Sequence, residues 1–265
     1  MTVNDILNCI TEIAPLQWQE SYDNAGLQVG DLNAEAHKAL VCLDITEEIV
    51  DEAFAKDCDV IVSHHPLIFR GLKHLSPETY IERAVMKAVK HDIAMVSMHT
   101  NLDNSYLGVS RVLAERLGLK DLHILQPVAE APDLCGAGMV GEFETPMEEL
   151  GFLALVAETI KTPCLRHSAL TGRTIKKVAL CGGSGSPFMQ DALNQKADAY
   201  LTADIKYHDF FIPEGRILLV DGGHFETEQF TKELICGLIR KKFPTFAAEI
   251  AETETNSVHY FVRNK

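Results

Sequence analysis

The residues of this sequence with the most chemistry to offer sit where apolar runs end, and those runs alternate with helical stretches. KALVCLD (38–44), CDVIVS (58–63) and IAMVSM (93–98) read as buried strands. Thr46 is placed to cap a helix through about Lys56, and Ser76-Pro77 to open one reaching about His91. Residues 3–14 have helical spacing stopped by Pro15, and Asn104 precedes a helix ending at Gly118. The rhythm continues with a strand over 136–143 and a capping box at Thr145-Pro146-Met147-Glu148 that opens a helix to about Lys161. Strands follow near 164–169, 175–181, 199–203 and 216–221, with a helix after Ser186-Pro187. A long helix is expected from about Phe225 to Phe243, and SVHYFVR (257–263) closes the chain as a strand. Strand–helix–strand order predicts largely parallel sheets with helices on their faces. The two halves share this rhythm, so the expected fold is α/β, with two related, interlocked three-layer α/β/α lobes. Residues 1–127 make the first, and 128–265 the second, with a C-terminal segment returning to the first.

Composition narrows the function. The 265 residues are 46% hydrophobic and 23% charged, an ordinary globular balance. No apolar run approaches the roughly 18–20 residues of a membrane span. The opening MTVNDILNCITEIAPLQWQE lacks the basic-then-apolar order of a signal peptide, so a cytoplasmic protein is expected. Seven cysteines are scattered without a C-x-x-C and mostly lie in apolar runs, where a thiol packs as a small hydrophobe. A net charge of −14 repels phosphate backbones and anionic membranes. It leaves room for a phosphorylated small molecule, because bound cations reverse the local sign.

Ligands of open α/β sheets bind beyond the carboxyl ends of the strands. Here VIVS runs into His64-His65-Pro66, MVSM into His99 through Asp103, YLTA into Asp204, Lys206 and His208, and ILLVD into Gly222-Gly223-His224. A lone histidine usually hydrogen-bonds in a core, but four strand ends so furnished are not chance packing. Adjacent side chains on an extended backbone diverge, so His64 and His65 fit two metals, one ring each, unless the chain kinks. His224 and Glu228 lie four apart at a helix start and share a face. A carboxylate can bridge two cations, and Asp103 adds a hard oxygen to a mixed nitrogen/oxygen set suited to Zn, Mn, Fe, Co or Ni. Two divalent ions per chain are expected.

Together SYDNAGLQVGD (21–31), SHHPLIF (63–69), MHTNLD (98–103), LTADIKYHD (201–209) and VDGGHFETE (220–228) resemble the Nif-three-like family over nearly the whole chain. Its members, often called GTP cyclohydrolase I type 2 homologues, are toroidal hexamers with a dinuclear metal centre. The resemblance implies His64, His65, Asp103, His224 and Glu228 as ligands, with Glu228 bridging, between the lobes. It also implies a homohexamer with its sites facing an internal cavity. The chain is too short and continuous to hold the inserted domain of some members.

Around that set, His99 is open to service as ligand, as support for a ligand, or as proton carrier, support being favoured. Lys206 and His208 are candidates to bind a phosphate and move a proton. Asp23 and Asn24 either cap a turn or line the cavity. Cys181-Gly182-Gly183-Ser184-Gly185-Ser186-Pro187 matches no phosphate-binding motif and reads as a tight turn rather than an anion cradle. The expected function is metal-dependent hydrolysis, with His99, Lys206 and His208 as catalytic candidates and a small-molecule substrate, a nucleotide or phosphorylated compound. The alternative is a metal-loaded ring that handles metal or binds a protein without turnover.

Overall fold

Local signals set most of the elements. The first helix, Val3–Thr11, starts at a capping box of Thr2 and Asp5 and buries Val3, Ile6, Leu7 and Ile10 along one stripe. The computed structural model describes residues 1–131 and 133–261. In chain order its strands are β1 Gly26–Val29, β2 Lys38–Cys42, β3 Val60–Ser63, β4 Ala94–Ser97, β5 Lys120–Pro127 and β6 Gly136–Glu148. Then come β7 Arg166–His167, β8 Thr174–Ser184, β9 Ala199–Ala203, β10 Leu218–Asp221 and β11 Ala247–Ile250. The chain divides into two compact units, one of Met1–Leu102 with Thr231–Thr255, the other of Asp103–Phe230 with the segment from Asn256. Asp103, placed by the sequence pattern in a first lobe ending at 127, is thus the first residue of the second unit.

In the first unit the described residues form one sheet in the order β1-β4-β3-β2-β11. The four strands β4, β3, β2 and β11 are parallel, and β1 runs antiparallel on β4. Strands buried on both faces need continuous apolar runs, which β2, β3 and β4 supply. Leu40, Ile61 and Met95 pack with Ile49 and Val50 of the helix Glu47–Ala55 and with Val85 and Ala88 of the helix Tyr80–Lys90. That second helix is capped by Thr79, not by Ser76. The Glu82 carboxylate accepts both the Thr79 N–H and its hydroxyl, so the box closes three residues later than expected.

The second sheet has the order β5-β6-β8-β9-β10-β7 and is mixed. Only β8, β9 and β10 are parallel; β5, β6 and β8 form an antiparallel run, and β7 is antiparallel on β10. The expected capping box at 145–148 is instead the end of β6, because Met147 and Glu148 pair with Ile175 and Thr174. The helix therefore starts at Glu149, whose carboxylate accepts from the Thr171 and Gly172 backbone. Phe152, Val156 and Ile160 of that helix pack on Leu180, Leu201 and Val220, while Tyr200 and Leu219 face the other layer with Met189 and Ala192. The single long helix expected over 225–243 is two, His224–Glu228 and Thr231–Lys242. Residues 257–261 of the expected closing strand are not in a strand, and 262–263 lie outside the described residues.

Candidate metal centre

In the first unit, β3 ends at Ser63 and the chain bends at His64 and His65. The Ser63 hydroxyl, donating to the His65 carbonyl at 2.8 Å, holds the bend. The two imidazoles are 4.8 Å apart between ring centres, so the alternation expected of an extended backbone does not apply. A kink of this kind lets both rings reach one neighbourhood. His99, entering from the end of β4, stands 5.5 Å from each of them.

All three rings are held through Nδ1. His64 donates to the Met98 carbonyl at 2.8 Å, His65 to Asp44 Oδ1 at 2.7 Å and His99 to Asp23 Oδ1 at 2.7 Å. A carbonyl or ionised carboxylate cannot donate, so each Nδ1 carries a proton and Nε2 is the ring nitrogen left for another partner. Burial pushes the Asp44 carboxyl up, but the hydrogen bond and charge of His65 and the hydrogen bond from Thr255 together outweigh it and leave the group below its ordinary range. Asp23 behaves alike: burial acts upward, yet the bonds from His99 and Thr100 bring it down to about 2. Its side chain is 0% exposed and also accepts the Thr100 and Asn24 N–H groups.

In the second unit, β9 delivers Asp204 in a left-handed conformation, φ 55°. Its Oδ2 accepts from His224 Nδ1 at 2.7 Å, while His224 Nε2 lies 3.0 Å from Glu228 Oε2 one helical turn on. Burial works against charge on His224, but the two carboxylates prevail and lift its pKa to about 11. Burial and then the charges of Asp103 and Glu228 push the Cys181 thiol up, which puts both carboxylates within electrostatic reach of Cys181. The tight turn expected over 181–187 is instead the end of β8, whose pairing with β9 shifts between Leu180 and Ser184, followed by a short 3-10 helix, Ser186–Phe188. Its glycine amides are used on hydroxyls, Gly182 on Ser110, Gly183 on Thr227 and Gly185 on Thr202, and not on an anion. Lys206 and His208 are exposed; the His208 ring stacks edge-on near Tyr207 at 5.2 Å.

This donor chemistry suits a metal ion. Metal-bound histidines commonly give their second ring nitrogen to a carboxylate or carbonyl, which fixes the tautomer and raises basicity. His64, His65 and His224 each do so. His224 carries a proton between two carboxylates, where a cation satisfies the same charges. Each unit brings such donors to its own strand ends: His64 and His65 in the first, His224 and Glu228 in the second. Sequence reasoning left Asp44 unnamed and gave Asp23 and Asp204 no definite task. Asp44 follows β2 as the others follow their strands, so the strand-end rule would have found it.

The fold and these histidine–oxygen pairs define the class: an α/β protein of two units with its chemistry gathered at strand ends. More particularly, a model of the Duf34/NIF3 (NGG1p interacting factor 3) family matches residues 1–257, and the chain belongs to that family. It is 35% identical over 231 residues to a GTP cyclohydrolase 1 type 2 homolog of Clostridium perfringens, covering 86% of this chain and 87% of that one. A relative of the same name in Campylobacter jejuni is 30% identical over 239 residues, 89% of this chain and 90% of its own. Staphylococcus aureus protein SA1388 superposes with a TM-score of 0.90 at 28% identity, covering 98% of this chain and 99% of that one. A Bacillus cereus protein related to NIF3 reaches the same TM-score and the same coverages at 21% identity, which speaks for the fold. Among the described residues no helix is long and apolar enough to cross a membrane.

Proposed function

We propose that this protein is a metal-dependent hydrolase of the GTP cyclohydrolase 1 type 2 homolog group, working as a cytoplasmic homohexamer. His64, His65, Asp103, His224 and Glu228 would hold two divalent ions, of Zn, Mn, Fe, Co or Ni, with Glu228 shared by both. One observation carries the reading: His64, His65, His99 and His224 each commit Nδ1 to an oxygen, three of them to a carboxylate. A core histidine needs one partner of any kind. The same support on four rings at strand ends is how ligands and proton carriers are oriented.

When bound, such ions polarise an electrophile and acidify a water near neutral pH. The chain supplies the rest. Asp23, ionised and buried, fixes the His99 tautomer and leaves Nε2 to accept a proton and return it to a leaving group. Lys206 offers a cation to an anionic substrate, and His208 a second proton carrier beside it. A −14 chain favours a small nucleotide or phosphorylated compound over a polyanion.

The test is a screen of nucleotides, phosphoesters and amides with metal-replete wild type and Glu228→Ala. Turnover by wild type alone, abolished by chelator and restored by metal, supports the reading. Identical behaviour of the two proteins, with metal confirmed in wild type, leaves a metal-loaded ring without turnover.

A further inference from the structure

The glycine-rich end of β8 has a use beyond completing the strand. We propose that Gly183 is a positioning residue, a seat without a side chain against which the Glu228 carboxylate and the His224 ring are set. A Cβ on Gly183 would lie 2.1 Å from Glu228 Oε1, 2.9 Å from its Cδ and 3.2 Å from His224 Cε1. Those distances are below contact, so any side chain there forces the carboxylate away. The seat itself cannot retreat. Gly183 donates its N–H to Thr227 Oγ1 at 3.0 Å and accepts from Thr202 Oγ1 at 2.9 Å, which ties it to the helix bearing Glu228 and to β9. Its φ of +61° also belongs to the left-handed region that favours glycine.

Glu228 is itself held short of escape. Its side chain is 4% exposed, Oε2 lies 3.0 Å from His224 Nε2, and Oε1 occupies the space that a Cβ on Gly183 would take. The carboxylate is thereby confined, by the His224 ring at Oε2 and by burial, to the space that Gly183 leaves open, and confining a ligand in advance removes ordering cost from binding. The consequence for metal rests on the reading of Glu228 as a ligand; the seat does not.

The experiment is a double-mutant cycle between Gly183→Ala and Glu228→Ala, measured first as melting temperature in metal-free protein. Gly215→Ala serves as control, since Gly215 has a similar φ of +71° but nothing within 4 Å of its would-be Cβ. Gly183→Ala is expected to melt at least about 3 °C below Gly215→Ala, and most of that extra loss should vanish in the Glu228→Ala background, where the colliding atoms are gone. Strict additivity overturns the seat, and so does a double variant that fails to fold where Glu228→Ala alone folds. A Gly183→Ala protein that folds only with Glu228→Ala supports it. Zinc titration then tests the link to metal: Gly183→Ala should bind at least about tenfold more weakly, with Gly215→Ala like wild type. Wild-type affinity in Gly183→Ala overturns the positioning role. If wild type binds no zinc, the metal reading fails while the melting cycle still decides the seat.

Discussion

Replacing Asp23 by Asn changes one atom and should reveal how much of the first unit's histidine geometry hangs on that carboxylate. The side chain is wholly buried and accepts from His99 Nδ1 at 2.7 Å, Asn24 N at 2.7 Å, Thr100 N at 3.0 Å and the Thr100 hydroxyl. An Asn amide puts two donors where at least one of these donors points, and a buried donor facing a donor costs about 1–3 kcal/mol. Linkage gives a similar figure. A carboxyl at about 2 in the fold against 3.8 as a model group is worth on the order of 2–3 kcal/mol near neutrality. Because the folded value is depressed, that stability is fully present above the unfolded value and is lost as pH falls through about 2. Urea unfolding of Asp23→Asn should therefore show a deficit of about 2 kcal/mol that is flat from pH 7 to about 5 and shrinks toward pH 2. Nitrogen NMR should show His99 losing its single Nδ1–H tautomer. A deficit under about 0.5 kcal/mol, or one that persists undiminished at pH 2, would refute the assignment of Asp23 as an ionised anchor.

Metal-replete protein should carry about two divalent ions per chain, read by elemental analysis; Glu228→Ala should lose both and His224→Ala mainly one, because a bridging carboxylate belongs to two shells. A closed oligomer, a hexamer, is expected in light scattering at micromolar concentration, more stable as salt screens the charge of −14 per chain. Lys206→Ala and His208→Ala should lower turnover while metal content holds, since both side chains stand exposed on the turn after β9. Glu52 binds Lys56 at 2.8 Å and the Glu252 and Thr253 amides, and these overcome burial to set its pKa at about 2. Glu52→Gln should cost about 1–3 kcal/mol above pH 4.5, the difference fading as pH falls toward 2 in denaturant titrations.

The sequence by itself carried the α/β class, because apolar runs such as KALVC and VIVS can be buried only as central strands. It also carried the strand-end placement of His64, His65, His99 and His224, which needs no more than period and position. Capping signals were legible where the cap was local, as at Thr46, and misread where sheet pairing outweighed them, as at 145–148. Only the tertiary structure decided the antiparallel half of the second sheet, since pairing direction depends on partners far along the chain. Likewise the bend that turns His64 and His65 together comes from a Ser63 hydroxyl bond, not from residue spacing. Asp23, Asp44 and Asp204 were visible as acids, but their task is fixed by a 2.7 Å approach to a ring 76, 21 or 20 residues away. Separation in sequence of that size leaves no local pattern, so the supporting carboxylates appear only when the strands are laid side by side.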